Sequence, residues 1–255
     1  GSCNAQCAEY LDYVLGKEED VGAVIIETVR CTDVQIPPPE YYRIVRAACD
    51  RHGALLILDE VPICLGRTGR MFAFEHYGIV PDMVVLGKGL GGAVFPMAAL
   101  VARRDLDVAA DRALGHYTHE KSSVGCAAAL ATLDVIENEQ LLERSRTLGA
   151  RALERMRELK RRHPLVADVR GIGLLLGIEL ARNGVPARRE AEQVLGHIDG
   201  ALVSAGHRSL VIACEGSKVA GELISVPAYR DLTDDVQLGA RRRHREVIRE
   251  VLRRE

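Results

Sequence analysis

Four short apolar runs organise the first part of the chain: Val21–Glu27, Ala54–Asp59, Met83–Leu86 and Met97–Ala102. Their apolar residues are nearly continuous rather than alternating. That pattern predicts strands buried on both faces, as in a parallel sheet covered by helices. Between the first two, Pro37-Pro38-Pro39 breaks the chain and launches a helix predicted from about Glu40 to His52. Strands alternating with helices predict an α/β fold, a mostly parallel sheet flanked by helices.

Further along, Ser123–Glu137 is rich in alanine and reads as a helix. Leu141–Arg162 has amphipathic helical spacing and stops at His163-Pro164. Val166–Arg170 and Gly173–Leu180 read as two strands joined at Gly171, and Arg188–Ala205 as a helix. Strand-like pieces between Leu210 and Val226 precede a predicted terminal helix, Asp234–Glu255. The change of pattern predicts two domains: 1–137, part of a large α/β domain, and 138–255, a long linking helix with a small C-terminal α+β domain.

Composition narrows the function. The 255 residues carry a formal charge of −2, which gives no electrostatic case for nucleic acid. The basic cluster Arg241-Arg242-Arg243-His244-Arg245 is interspersed with acids at helical spacing and reads as a solvated helix face. No apolar run approaches the roughly 18 residues that span a membrane, and no signal peptide is visible. Seven scattered cysteines without a CxxC pair predict reduced, buried thiols and a cytoplasmic protein. The spacing of Cys3 and Cys7 could suit a metal, but no second pair completes a site. The Gly-Ser start reads as a scar or as the start of a fragment.

Candidate chemistry sits where the strands end. Glu27, Asp59 and Lys88 each close an apolar run, and in open α/β sheets ligands bind beyond the carboxyl ends of the strands. The three are therefore expected to share a site. Lys88 lies between Gly87 and Gly89 at the end of a buried strand, where partial desolvation would make its amine a nucleophile towards carbonyls. A lysine at one strand end and an acid at another meet the needs of pyridoxal phosphate. The lysine holds the cofactor as a Schiff base, and the acid keeps the ring nitrogen protonated.

Several motifs in order carry a more specific signal: Leu56-Ile57-Leu58-Asp59-Glu60-Val61, Gly66-Arg67-Thr68-Gly69-Arg70 and Gly87-Lys88-Gly89-Leu90-Gly91-Gly92, then Cys126-Ala127-Ala128-Ala129 and Val169-Arg170-Gly171-Ile172-Gly173. Together they resemble the class III aminotransferases, pyridoxal-phosphate enzymes of fold type I. The resemblance runs from about Cys7 to Leu180. It implies Lys88 as the Schiff-base lysine and proton shuttle, Asp59 as the partner of the pyridinium nitrogen, and Val61 packed on one ring face. It further implies that Thr118 binds the cofactor phosphate of a neighbouring subunit, so a homodimer is expected. Glu27 takes the place of a glutamate near the substrate.

Four departures qualify the resemblance. The family's segment that cradles the cofactor phosphate and stacks an aromatic residue on the ring has no counterpart here. Pro62 stands where a glutamine able to bond the ring oxygen is common. His119-Glu120-Lys121-Ser122-Ser123 replaces a small turn, and Lys121 is a candidate contact to an anionic substrate. Gly221–Pro227 contains no arginine to clamp an α-carboxylate. The loop at Lys121 and Thr28-Val29-Arg30 resemble a subgroup that includes ammonia-lyases of amino-phosphonates. The expected function is transfer of an amino group between an amine or amino acid and a keto acid. The alternatives are ammonia elimination or racemisation on an amino-phosphonate or related amine, or a non-catalytic fragment or partner subunit.

Overall fold

Three of the predicted strands lie side by side. In the computed structural model, which describes residues 4–18, 20–109, 111–112 and 122–194 and the backbone of 210–214 and 222–226, β1 (Ala23–Glu27), β2 (Leu55–Asp59) and β3 (Met83–Leu86) pair in parallel. A fourth, β4 (Ala99–Ala102), adds antiparallel to β3, giving the order β1-β2-β3-β4. The α/β class and the mostly parallel sheet agree with the sequence reading.

One face of this sheet holds a core. Leu56, Leu58, Val84 and Leu86 are buried on it. Helix α2 (Tyr41–His52) sets Tyr42, Val45, Ala48 and Cys49 against the sheet at helical spacing, and all are buried. Gly53 ends α2 in the left-handed conformation. A helix the sequence pattern did not flag, α1 (Gln6–Lys17), packs on α2 through Ala8 and Leu15.

The other face is open. Register places Ile25, Ile57 and Met83 in one row, and Glu27, Asp59, Val85 and Leu100 in the next. Ile25 is 66% exposed and Leu100 59%. Cover on both faces, expected from the continuous apolar strands, is therefore not found among the described residues. The strands are as apolar as doubly covered strands, but α1 and α2 lie on the same side.

Two buried carboxylates tie the elements together. Asp82 accepts the Leu56 N–H (2.7 Å) and Arg46 (2.7 Å) on one oxygen and Arg103 (2.6 Å) on the other, joining α2, β2 and the end of β4. Burial pushes its carboxyl up, but the Leu56 amide and the two guanidinium groups outweigh this and hold it below the usual range. Glu60, fully buried, accepts Thr28 Oγ1 (2.9 Å) and the Ala73 (2.7 Å) and Phe74 (2.8 Å) amides. Burial pushes its carboxyl up, and these three donors offset only part of the rise.

Helices α3 (Ser123–Asn138) and α4 (Leu141–Arg162) follow, with the Ser122 hydroxyl capping α3 by accepting the Gly125 N–H at 3.1 Å. Strands β5 (Val166–Ile172) and β6 (Leu175–Arg182) reverse direction at Gly173-Leu174, not at Gly171 as expected. Gly173 supplies the positive φ (+56°) that the tight reversal needs. It also sits so close to α4 that a Cβ on Gly149 would lie 2.0 Å from the Gly173 carbonyl oxygen.

Contacts divide the chain into compact units Gly1–Glu179 and Leu180–Glu255, so α4, which the sequence reading grouped with the second domain, falls in the first unit. In the second unit β6 ends by pairing with β7 (Val185–Pro186), residues 188–194 are helical, and β8 (Leu210–Cys214) pairs in parallel with β9 (Glu222–Val226). The remainder of the helix predicted to Ala205, and the one predicted over Asp234–Glu255, lie outside the described residues. Among the described residues no helix is long and apolar enough to cross a membrane.

Asp82→Asn leaves Arg46 without its buried partner and is expected to cost about 3–5 kcal/mol in urea denaturation followed by circular dichroism. Because Asp82 titrates below its ordinary 3.8, its contribution is full above that value and is lost as pH falls through the lower, folded one. The difference between variant and unaltered chain should therefore shrink only in strong acid. Gly149→Ala should gain about 0.8–1 kcal/mol of helix propensity. The backbone clash with Gly173 should outweigh this, at about 1–3 kcal/mol or more, and a melting temperature above that of the unaltered chain would refute the close packing.

Candidate active site

Asp59 and Glu60 are consecutive and point opposite ways, as strand alternation requires. Glu60 enters the core, whereas Asp59 lies on the open face, half-buried, with one oxygen accepting the Val61 N–H at 2.9 Å. Val61 starts the loop whose far end Glu60 anchors at Ala73 and Phe74.

Lys88 follows β3 by one residue. Gly87 is extended, and Lys88 opens a 3-10 turn, Lys88–Gly91, with φ +45°. The left-handed region costs a non-glycine residue about 1–3 kcal/mol, and such strain gathers at functional sites. The side chain is exposed in this chain, which corrects the expected partial desolvation. The apolar strand stops at Leu86, so the lysine emerges beyond the buried part. A Cβ on Gly87 would lie 3.1 Å from Val61, so the glycine before the lysine makes room for that valine.

Lys88 and Val61 line one cavity of about 520 Å³. Its walls include Leu65, Ile136, Leu141, Leu148 and Leu174, with Arg67, Arg144 and Ser145 among the polar groups. Cys64 also lines it, but burial pushes its thiol up and away from the reactive thiolate. The Arg67 carbonyl accepts the Leu174 N–H (2.9 Å) and the Ser145 hydroxyl (3.3 Å), which fixes the loop against α4 and the β5–β6 turn.

The predicted residues are brought together in part. Glu27 and Asp59 are register partners on neighbouring strands, and Asp59 is opposite Val85, three residues before Lys88. Glu27, however, accepts the Cys31 N–H (3.4 Å) and lines a separate cavity of about 410 Å³ with Arg30 and Tyr42, so the single shared pocket expected of it is not found. Thr118 and Lys121 lie outside the described residues. Cys49 and Cys64 are buried as expected of the thiols, but Cys7 and Cys126 are exposed. Sequence reading passed over three residues here. Glu60 was visible only as the second acid of a pair, Arg67 was quoted for its motif alone, and Arg144 gives no signal apart from its helix.

The comparisons with known proteins bear on this arrangement. A profile of the family Aminotransferase class-III matches residues 1–212. The chain is 45% identical over 197 residues to an (R)-1-hydroxy-2-aminoethylphosphonate ammonia-lyase of Vibrio splendidus, covering 76% of this chain and 41% of that protein. It is 39% identical over 197 residues to ornithine aminotransferase 1 of Staphylococcus aureus, covering 75% and 47%. An amine transaminase from an uncultivated Pseudomonas species, solved in its PLP-bound form, superposes with a TM-score of 0.70 at 30% identity, over 77% of this chain and 47% of that one. The chain thus spans less than half the length of these relatives. The motifs around Asp59 and Lys88, the parallel strands that carry them and the extent of the profile match agree, and the chain belongs to the class III aminotransferases.

Proposed function

We propose that this chain carries the lysine-bearing part of a pyridoxal-phosphate enzyme that moves an amino group between an amine or amino acid and a keto acid. The observation that carries the reading is Lys88, held left-handed on the wall of a cavity of ligand size beside Val61. Lys88 and Val61 line this cavity, and Asp59 stands outside its wall at the neighbouring strand end, opposite Val85. Lys88 is the one amine among the lining residues. Among the described residues Asp59 uses one oxygen on the Val61 amide and keeps the other for a pyridinium N–H. Val61 offers an apolar surface to the ring.

When bound, pyridoxal phosphate supplies an electron sink for the substrate carbon that bears the amine. Lys88 Nζ would hold the cofactor and would move the proton at that carbon. Asp59 would be the group to hold a positive charge on the ring nitrogen. Thr118 is proposed to reach the cofactor phosphate of a second subunit, in a homodimer within the cytoplasm, and Glu27 and Lys121 to contact the substrate. The second reading, ammonia elimination from a phosphonate-bearing amine, is favoured by the 45% identity to the Vibrio splendidus lyase.

Mixed with pyridoxal phosphate, the purified chain is expected to develop a visible absorbance band. Borohydride should bleach it and leave the cofactor's mass on the peptide containing Lys88, and Lys88→Ala should abolish both. A chain that gives neither is a non-catalytic fragment or partner subunit. With the band present, amines are offered with and without a keto acid. Turnover that requires the keto acid is the expected result; ammonia released in its absence would sink transamination in favour of the lyase.

A further inference from the structure

The cavity beside Lys88 has an unbalanced charge. Arg67, Lys88 and Arg144 line it, and no aspartate or glutamate does. Among the described residues neither guanidinium group makes a hydrogen bond or ion pair. Arg146, two residues further along α4, shows the contrast: its guanidinium is taken up by Glu143 and by the Gly69 carbonyl oxygen at 2.7 Å. The two hydroxyls on the cavity wall are also committed, Ser145 donating to the Arg67 carbonyl (3.3 Å) and Thr132 to the Ala128 carbonyl (2.8 Å). The side-chain N–H and O–H donors left for a ligand are therefore those of Arg67, Lys88 and Arg144. All three cationic residues are exposed to solvent, so their attraction for an entering anion is screened by salt.

The geometry points to an anion site formed by Arg67 and Arg144, in the same cavity as Lys88, for a tetrahedral dianion of the phosphate or phosphonate class. A single carboxylate would satisfy one guanidinium fork, whereas a dianion with three oxygens can take hydrogen bonds from both. The inference rests on the proposed function only for its meaning: either the acid end of an amine substrate or the phosphate of the cofactor would carry the charge. The site itself requires neither Lys88 chemistry nor turnover.

The test is a calorimetric titration of the 255-residue chain with methylphosphonate, without cofactor. Methylphosphonate is expected to bind, its neutral dimethyl ester is not, and added salt should weaken the complex. Arg67→Gln and Arg144→Gln should each weaken binding by about tenfold or more, as loss of a charge-assisted hydrogen bond does. Arg155→Gln, on α4 but away from the cavity, should leave it within about twofold. Lys88→Ala should keep arginine-dependent binding, so failure of the lysine test and failure of this one are separate results.

Repeating the titration on Lys88→Ala with pyridoxal phosphate present separates the two sources. Competition assigns the arginines to the cofactor's phosphate, and simultaneous binding assigns them to the substrate's acid group; both keep the anion site. Absence of methylphosphonate binding, or binding indifferent to both arginine substitutions, overturns it.

Discussion

A carboxylate with no access to water must be met by donors, and Glu60 shows how far that requirement reaches. Its partners come from the residue after β1 and from the far end of the loop that leaves β2. Its own amide bonds Val85 in β3 at 3.0 Å. One side chain and its backbone thus close three strand ends and the loop that walls the Lys88 cavity. Unmet, a buried acceptor costs about 1–3 kcal/mol, more when charged, so the loop has little freedom to sit elsewhere. Asp59 inherits its position from this neighbour.

The division of labour between the adjacent acids follows from strand geometry. Alternation sends one into the interior to hold the frame and the other onto the open sheet face. Gly173 and Gly149 act at longer range. By letting backbone meet backbone they bring α4 against the loop at Arg67, and α4 in turn supplies Arg144 and Ser145 to the cavity wall. Packing far from Lys88 therefore shapes the space in front of it.

The sequence was informative where the physics is local. Continuous apolar runs marked all four strands of the first sheet within a few residues, and the three prolines marked the start of α2. Asp59 and Lys88 were legible as strand-end residues, because each closes a continuous apolar run. Features made by tertiary contact were not. Glu60 looks like any acid after a strand until Thr28, Ala73 and Phe74 are brought to it. The left-handed φ of Lys88 has no signal in a residue that usually avoids it. The reversal at Gly173 rather than Gly171 depends on which glycine must clear the loop at Thr68. Glu27 was placed correctly at the end of its strand, yet the folding of residues 28–38 gives it a pocket of its own.

The uncovered sheet face has a thermodynamic meaning. Ile25, Ile57, Val85 and Leu100 present to water a surface with the composition of an interior. Anything that packs there binds the folded state and has little to recognise in the unfolded one. By linkage, its concentration and affinity enter the folding equilibrium directly. An occupant of this face would therefore add its own binding free energy to the stability that the chain's residues supply.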